Sequence, residues 1–236
     1  MREKILNGIE REEDAMKIIG ISASPRGAES RTARLVESVL RGAASAGAET
    51  EFIDICRYRF EFCTGCGTCY ATGECPRVDD FAGLFEKMVG ADGIVLGSPN
   101  YINGPTAQLK QVLDRMADAI HCRAFDGKYG CSVCTTGGSG DDLVVGYLNG
   151  VLNDLGAQTV GGVGVALGAD PGRLNGAMVQ GEALGRDLVE AIATKRQYPD
   201  QVPSLEAARD YFRMLVTANR ETWSHEYEVW AARGWL

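Results

Sequence analysis

The stretch KIIGISASPRGAESRTARLVESVLRGA, residues 17–43, changes its periodicity midway. KIIGIS (17–22) is an almost continuous apolar run, as in a strand buried on both faces of a sheet. Beyond it, Leu35, Val36, Val39, Leu40 and Ala43 recur at the spacing of one helical face, which predicts a helix over 32–46. The polar segment SASPRGAESRTA (22–33) joins the two. Strand, polar loop and helix in this order make half of a parallel βαβ unit.

The unit recurs downstream. Further strands are predicted at 51–55, 93–97, 128–136 and 158–165, and helices at 79–88, 106–120 and 141–155, the first opened by Asp79 and Asp80. The expected fold class is α/β, a flavodoxin-like doubly wound five-stranded parallel sheet of order 2-1-3-4-5, with a helical C-terminal arm. Ligands of such sheets bind beyond the strand carboxyl ends at the switch point. Residues 1–16 read as a charged extension, 17–168 as the ligand-binding domain and 169–236 as a helical extension serving oligomerisation or packing on the core. Helices are expected at 177–195 and around the apolar face Leu205, Ala208, Phe212, Leu215 and Val216. Trp223, Tyr227, Trp230 and Trp235 must be buried on this domain or on a partner subunit.

Within the domain, residues 56–78 form a cysteine-rich loop. Cys63, Cys66, Cys69 and Cys75 are spaced C-x2-C-x2-C-x5-C, and Pro76 follows the last. Compact thiolate runs of this kind wrap iron–sulfur clusters. Gly65, Gly67 and Gly73 allow tight bends that turn backbone amides toward sulfur. Structural zinc prefers two cysteine pairs with a longer spacer, disulfides suit an oxidising compartment, and a thiol-rich turn without metal is the plainest alternative.

Three strand-exit loops carry further chemistry. SASPRGAESRTA offers Ser22, Ser24, Ser30 and Thr32 as hydroxyls, Arg26 and Arg31 as cations, and a helix N-terminus, a combination suited to phosphate; the bland alternative is a polar loop with an ordinary N-cap. No Walker lysine is present. After the third strand, Pro99, Asn100, Tyr101 and Ile102 present polar and aromatic surface, although a lone tyrosine is more often packed. After the fourth, Thr135, Thr136, Gly137 and Gly138 let the backbone approach a planar ligand. Together the loops describe one crevice with a phosphate end and a ring end, the shape of FMN.

On these residues the chain resembles the iron–sulfur flavoproteins, a branch of the flavodoxin-like NAD(P)H-dependent FMN reductases. The resemblance covers roughly residues 17–165 and rests on Ser24-Pro25-Arg26 with Ser30, Arg31 and Thr32, on the cysteine run, on Ala91-Asp92-Gly93, Ser98-Pro99-Asn100-Tyr101, Leu109-Lys110 with Asp114-Arg115, and Thr136-Gly137-Gly138. It implies an FMN phosphate around Ser24, Arg26, Ser30 and Thr32, and ring contacts from Pro99, Asn100, Tyr101, Ile102 and 136–138. It also implies a 4Fe-4S cluster on the four cysteines, and homodimers or homotetramers that bring flavins and clusters of different subunits together.

The remaining residues narrow the function. Cys131 and Cys134 lie three apart in a strand and so face opposite sides of the sheet, which argues against a shared metal and for buried small hydrophobes; Cys56 and Cys122 read as structural. His121 and His225, the only histidines, form no ligand pattern, and no hydrolytic triad is indicated. GGVGVALG (161–168) has the wrong spacing for a dinucleotide fingerprint. The formal net charge of −8 argues against nucleic acid and anionic membranes as partners. No apolar run reaches the roughly eighteen residues of a membrane span, and MREKILNGIEREEDAMK shows no signal-peptide stretch, so a cytoplasmic location is expected. The expected protein is an FMN-dependent oxidoreductase passing electrons between FMN and a 4Fe-4S cluster, without an essential side-chain base. NAD(P)H, a ferredoxin-type protein, a quinone or an oxygen species would be its redox partner. Alternatives are a cluster-free NAD(P)H-dependent FMN or quinone reductase, and a non-enzymatic redox carrier or sensor.

Overall fold

Five parallel strands form one sheet: β1 (Lys17–Ser22), β2 (Glu49–Asp54), β3 (Gly93–Pro99), β4 (Tyr129–Thr136) and β5 (Gln158–Ala166), in the order β2-β1-β3-β4-β5. The computed structural model describes residues 15–170 and 172–236; residues 1–14 of the charged extension expected at 1–16 lie outside the described residues. The expected strand order and class are those observed.

Alternation along the strands divides the core into two layers. Ile19, Ile21, Ile94, Leu96 and Cys134 face one layer, whereas Ile18, Val95, Cys131 and Val133 face the other. The first layer is covered by α3 (Phe81–Gly90), α4 (Ala107–Asp114), α5 (Ala117–His121), α6 (Asp141–Asp154) and Val229 of α9 (Ser224–Ala232). The second is covered by α1 (Arg31–Ser45) and α7 (Arg173–Thr194). A short helix, α2 (Thr68–Thr72), lies within the cysteine loop, and α8 (Val202–Ala218) precedes α9. Each fully buried aliphatic side chain in these layers contributes about 1.5–3 kcal/mol by leaving water. At the edge of the sheet, the Gln201 side chain accepts from Thr159 N (2.9 Å) and donates to Thr159 O (2.8 Å), closing part of β5 as a neighbouring strand would.

Two local expectations change. The helix expected over 106–120 is broken: Arg115 N and Met116 N bond to Val112 O and Leu113 O, and α5 starts afresh. The cause is Arg115, whose side chain turns inward to Asp79 and to Glu61 O. The helix expected from Asp79 begins instead at Phe81. Asp80 accepts from Arg59 N (2.7 Å) and Asp79 from Glu61 N (2.7 Å) and Phe81 N (3.1 Å), so the acidic pair chiefly ties the two ends of the cysteine loop together.

Candidate functional site

All strands are parallel, so the segments leaving β1, β2, β3 and β4 emerge on one edge of the sheet. Ser98 and Thr106 knit the first and third loops: Thr106 Oγ1 donates to Ala23 O (2.8 Å) and Thr106 N to Ser98 Oγ (2.9 Å). Between the first, third and fourth loops lies a cleft of about 480 Å³. Ser24, Arg26, Arg31 and Thr32 line one end, and Pro99, Asn100, Tyr101, Thr135, Thr136 and Gly137 line the rest, joined by Leu167. Thr32 Oγ1 and Thr135 Oγ1 meet at 2.7 Å and bridge the two groups.

The remaining residues expected here are not among the cleft walls. Ser22 is buried in β1, and Ser30 spends its hydroxyl capping α1 through Ala33 N (2.9 Å). Gly138 lies just beyond and donates to Thr136 Oγ1 (3.4 Å). Ile102 is fully exposed, at φ 51°, in a turn closed by Tyr101 N→Gly104 O (2.9 Å). A β-branched residue in that left-handed region is strained by about 1–3 kcal/mol.

The cleft fits a phosphorylated planar ligand on two counts. Two exposed arginines and the hydroxyl residues Ser24 and Thr32 gather at one end beside the start of α1. At the other end, Asn100 donates Nδ2 to Ser139 O (2.8 Å), leaving its buried Oδ1 without a hydrogen-bond partner among the described residues. A buried acceptor in that state costs about 1–3 kcal/mol until a donor reaches it, and a heterocyclic N–H is such a donor.

The cysteine loop is built to bring sulfur and amide together. Gly65, Gly67 and Gly73 adopt φ of 64°, 71° and 74°, as the bends required. Gly65 N donates to Cys63 Sγ at 3.4 Å. Hydrogen bonds from Thr68 hold the exposed Cys66 thiol below its usual pKa. Burial, with Asp118 and Cys75 nearby, pushes Cys69 up to about 12, so a metal must displace a proton there. None of the four sulfurs is paired in a disulfide, and Cys63 and Cys66 face solvent. Four unpaired thiols with amide support suit an anionic sulfur cluster.

The C-terminal arm clasps this loop on its own domain, burying Trp230 fully and leaving Trp223, Tyr227 and Trp235 half-buried. Trp223 stacks on His121 (5.1 Å between centroids) and against Tyr70 (4.9 Å). Ser224 Oγ donates to Ala71 O (2.9 Å), and the fully buried Trp230 donates Nε1 to His121 O (3.0 Å). The histidines are therefore not the isolated residues their spacing suggested. His121 Nδ1 pairs with Glu226 Oε1 (2.9 Å), and ligand-type atoms of Asp118, Cys122 and His225 lie within 4.8 Å of one another, all buried. Burial and Glu226 push the Asp118 carboxyl up to about 8. Asp118 and Cys122 lie four apart on one helical turn, and only tertiary contact brings His225 to them. Arg115 also borders this site, and no local pattern in the chain marks it as doing so.

Known proteins resemble this chain in sequence and fold. Residues 16–172 match the NADPH-dependent FMN reductase family. An iron–sulfur flavoprotein of Archaeoglobus fulgidus is 31% identical over 223 residues, spanning 94% of this chain and 100% of that protein. One from Methanocaldococcus jannaschii is 48% identical over 100 residues, covering 42% of this chain and 51% of its own length. The NAD(P)H:quinone oxidoreductase of Methanothermobacter marburgensis, at 17% identity, superposes with a TM-score of 0.58 over 78% of this chain and 100% of its own, which shows the fold. Among the described residues no helix is long and apolar enough to cross a membrane. With a matching family over the whole sheet and a relative matching end to end, this chain belongs to the iron–sulfur flavoprotein branch of the NADPH-dependent FMN reductases and is an FMN-dependent oxidoreductase.

Proposed function

We propose that this protein passes electrons between FMN bound in the cleft and a 4Fe-4S cluster held by Cys63, Cys66, Cys69 and Cys75. NAD(P)H, a ferredoxin-type protein, a quinone or an oxygen species would serve as redox partner. The observation that carries this reading is the loop itself: four cysteines free of disulfides, an amide donating to Cys63 Sγ, and left-handed glycines at 65, 67 and 73, leaving the same sheet edge as the cleft. FMN supplies both two-electron and one-electron chemistry when bound. The chain's contribution is to bind and orient. Arg26, Arg31, Ser24 and Thr32 hold the phosphate, Asn100 Oδ1 accepts from the ring, and Tyr101 and Pro99 cover it.

Exposed apolar side chains at this end of the molecule support an assembly of subunits. Phe62 and Val78 flank the base of the cysteine loop at 73% and 98% exposure, and Ile102 is the bare tip of the third loop. Apolar side chains so displayed suit a homodimer or homotetramer joined through this edge. Mass by light scattering tests it, with Val78→Asp and Ile102→Asp expected to yield monomers.

The deciding experiment is anaerobic purification with a visible spectrum and iron, acid-labile sulfide and flavin stoichiometries. About four irons per flavin are expected for such a cluster. Cys66→Ala should remove the iron and leave FMN bound. A yellow, iron-free wild-type protein, even after anaerobic reconstitution, would leave a cluster-free flavin reductase instead.

A further inference from the structure

Beneath the cysteine loop is a small second pocket, walled by Cys69, Gly73, Cys75, Phe81, Phe85, Arg115, Asp118 and Ala119. Its one permanently charged wall is Arg115, whose side chain is 1% exposed. The planar guanidinium is engaged on two sides. Its Nη1 donates to Asp79 Oδ2 and to Glu61 O (3.3 Å), and the Phe81 ring lies over its face at 4.4 Å. Its Nε and Nη2, the other edge of the fork, are buried without a hydrogen-bond partner among the described residues. A charged group buried with two empty donors is costly, and a side-on pair of N–H groups is the arrangement with which arginine grips an anion. The same pocket offers the thiols of Cys69 and Cys75. Burial works against the guanidinium's charge, while Asp79 and then the nearby Cys75 favour it.

We propose that Arg115 donates its Nε–H and Nη2–H edge to the thiolate sulfur of the cluster site, Cys75 first, and thereby raises the potential at which that site accepts an electron. The inference rests on the cluster reading above. Its redox step is simple: one electron enters from the titrating reductant, no bond forms or breaks and no proton is taken up. The added negative charge is met by a guanidinium already in place, which therefore stabilises the reduced site more than the oxidised one. Asp79 acts the other way, as the nearest fixed anion on the same guanidinium.

The test is a potentiometric titration of reconstituted holoprotein, read by visible and electron paramagnetic resonance spectra, in wild type, Arg115→Gln, Arg115→Lys and Asp79→Asn. Arg115→Gln should make the cluster at least tenfold harder to reduce, about 59 mV for one electron. Arg115→Lys, keeping the charge but losing the fork, should fall between it and wild type. Asp79→Asn should shift the potential upward. The FMN potential should stay where it was in all three. A merely structural Arg115–Asp79 pair predicts that Arg115→Gln and Asp79→Asn move the cluster in the same direction, and that result would overturn the proposal, as would a cluster potential unmoved by Arg115→Gln. The Lys and Asn variants decide the matter should the Gln variant not fold. Iron-free wild-type protein defeats the cluster reading and this inference together, whereas iron-loaded wild type with unshifted variants defeats only the inference.

Discussion

Gly73→Ala measures how tightly the cysteine loop is held by the C-terminal arm. Gly73 lies between Cys69 and Cys75 at φ 74°, ψ 7°, and a Cβ built there falls 2.6 Å from Cε1, 2.7 Å from Nδ1 and 2.8 Å from Nε2 of His225. The left-handed backbone alone costs alanine about 1–2 kcal/mol. The clash adds to it, because the imidazole is buried on α9, with 1% exposure. Overpacking of that kind costs about 1–3 kcal/mol, for a total of about 2–5 kcal/mol. At roughly 2–4 °C per kcal/mol for a chain of this size, the loss is visible in a thermal melt. The informative design is a double-mutant cycle under reducing conditions, with urea denaturation followed by circular dichroism. With His225→Ala in place the clash disappears, and Gly73→Ala should then cost only its backbone part. The expected coupling is about 1–3 kcal/mol. Should Gly73→Ala cost the same in both backgrounds, the imidazole is not seated on this glycine and the clasp of α9 on the loop is wrong.

Other consequences are equally direct. Gly185→Ala should destabilise by about 3 kcal/mol or more despite better helix propensity, because its Cβ would sit 1.9 Å from Val39 O on α1; Gly176→Ala on the same helix, with nothing within 4 Å, should gain up to about 1 kcal/mol, and denaturant midpoints separate the two. Arg26→Ala should weaken FMN binding by about 10- to 100-fold in a fluorescence titration, the worth of a charged hydrogen bond; unchanged affinity would remove Arg26 from the phosphate end. Asp118 holds its proton up to about pH 8, whereas the unfolded chain releases it near pH 4. The folded iron-free protein therefore binds the extra proton between those values, and its stability falls as pH rises through that window and levels off above it. Asp118→Asn should flatten that slope, which amounts to about 1.4 kcal/mol per pH unit at most, in denaturation curves taken from about pH 5 to about pH 9.

The sheet was readable because parallel strands covered on both faces are written as apolar runs, and each run lies within a few residues of the observed strand. Element ends were less readable where a side chain has a distant partner. Nothing near Arg115 in the chain signals that Asp79 will draw it inward and break the helix expected at 106–120. Asp79 and Asp80 look like a helix opening, and become one brace of a loop whose other end is at Arg59 and Glu61. Leu167 joined the cleft only because β5 lies beside β4.

By itself the sequence determined which chemistry this protein carries: four thiols at fixed short spacing, glycines where the loop must turn, and cationic and hydroxyl side chains in a strand-to-helix loop. Those are local relations, set by bond geometry and helix termini over a few residues. Only the tertiary structure decided what surrounds that chemistry. It seated His225 on Gly73, set Asp118 and Cys122 beneath the loop, and buried one edge of Arg115 against a cavity lined by cysteines. Those groups come from segments far apart in the chain, and the packing that removes water from between them is what gives their charges and hydrogen bonds weight.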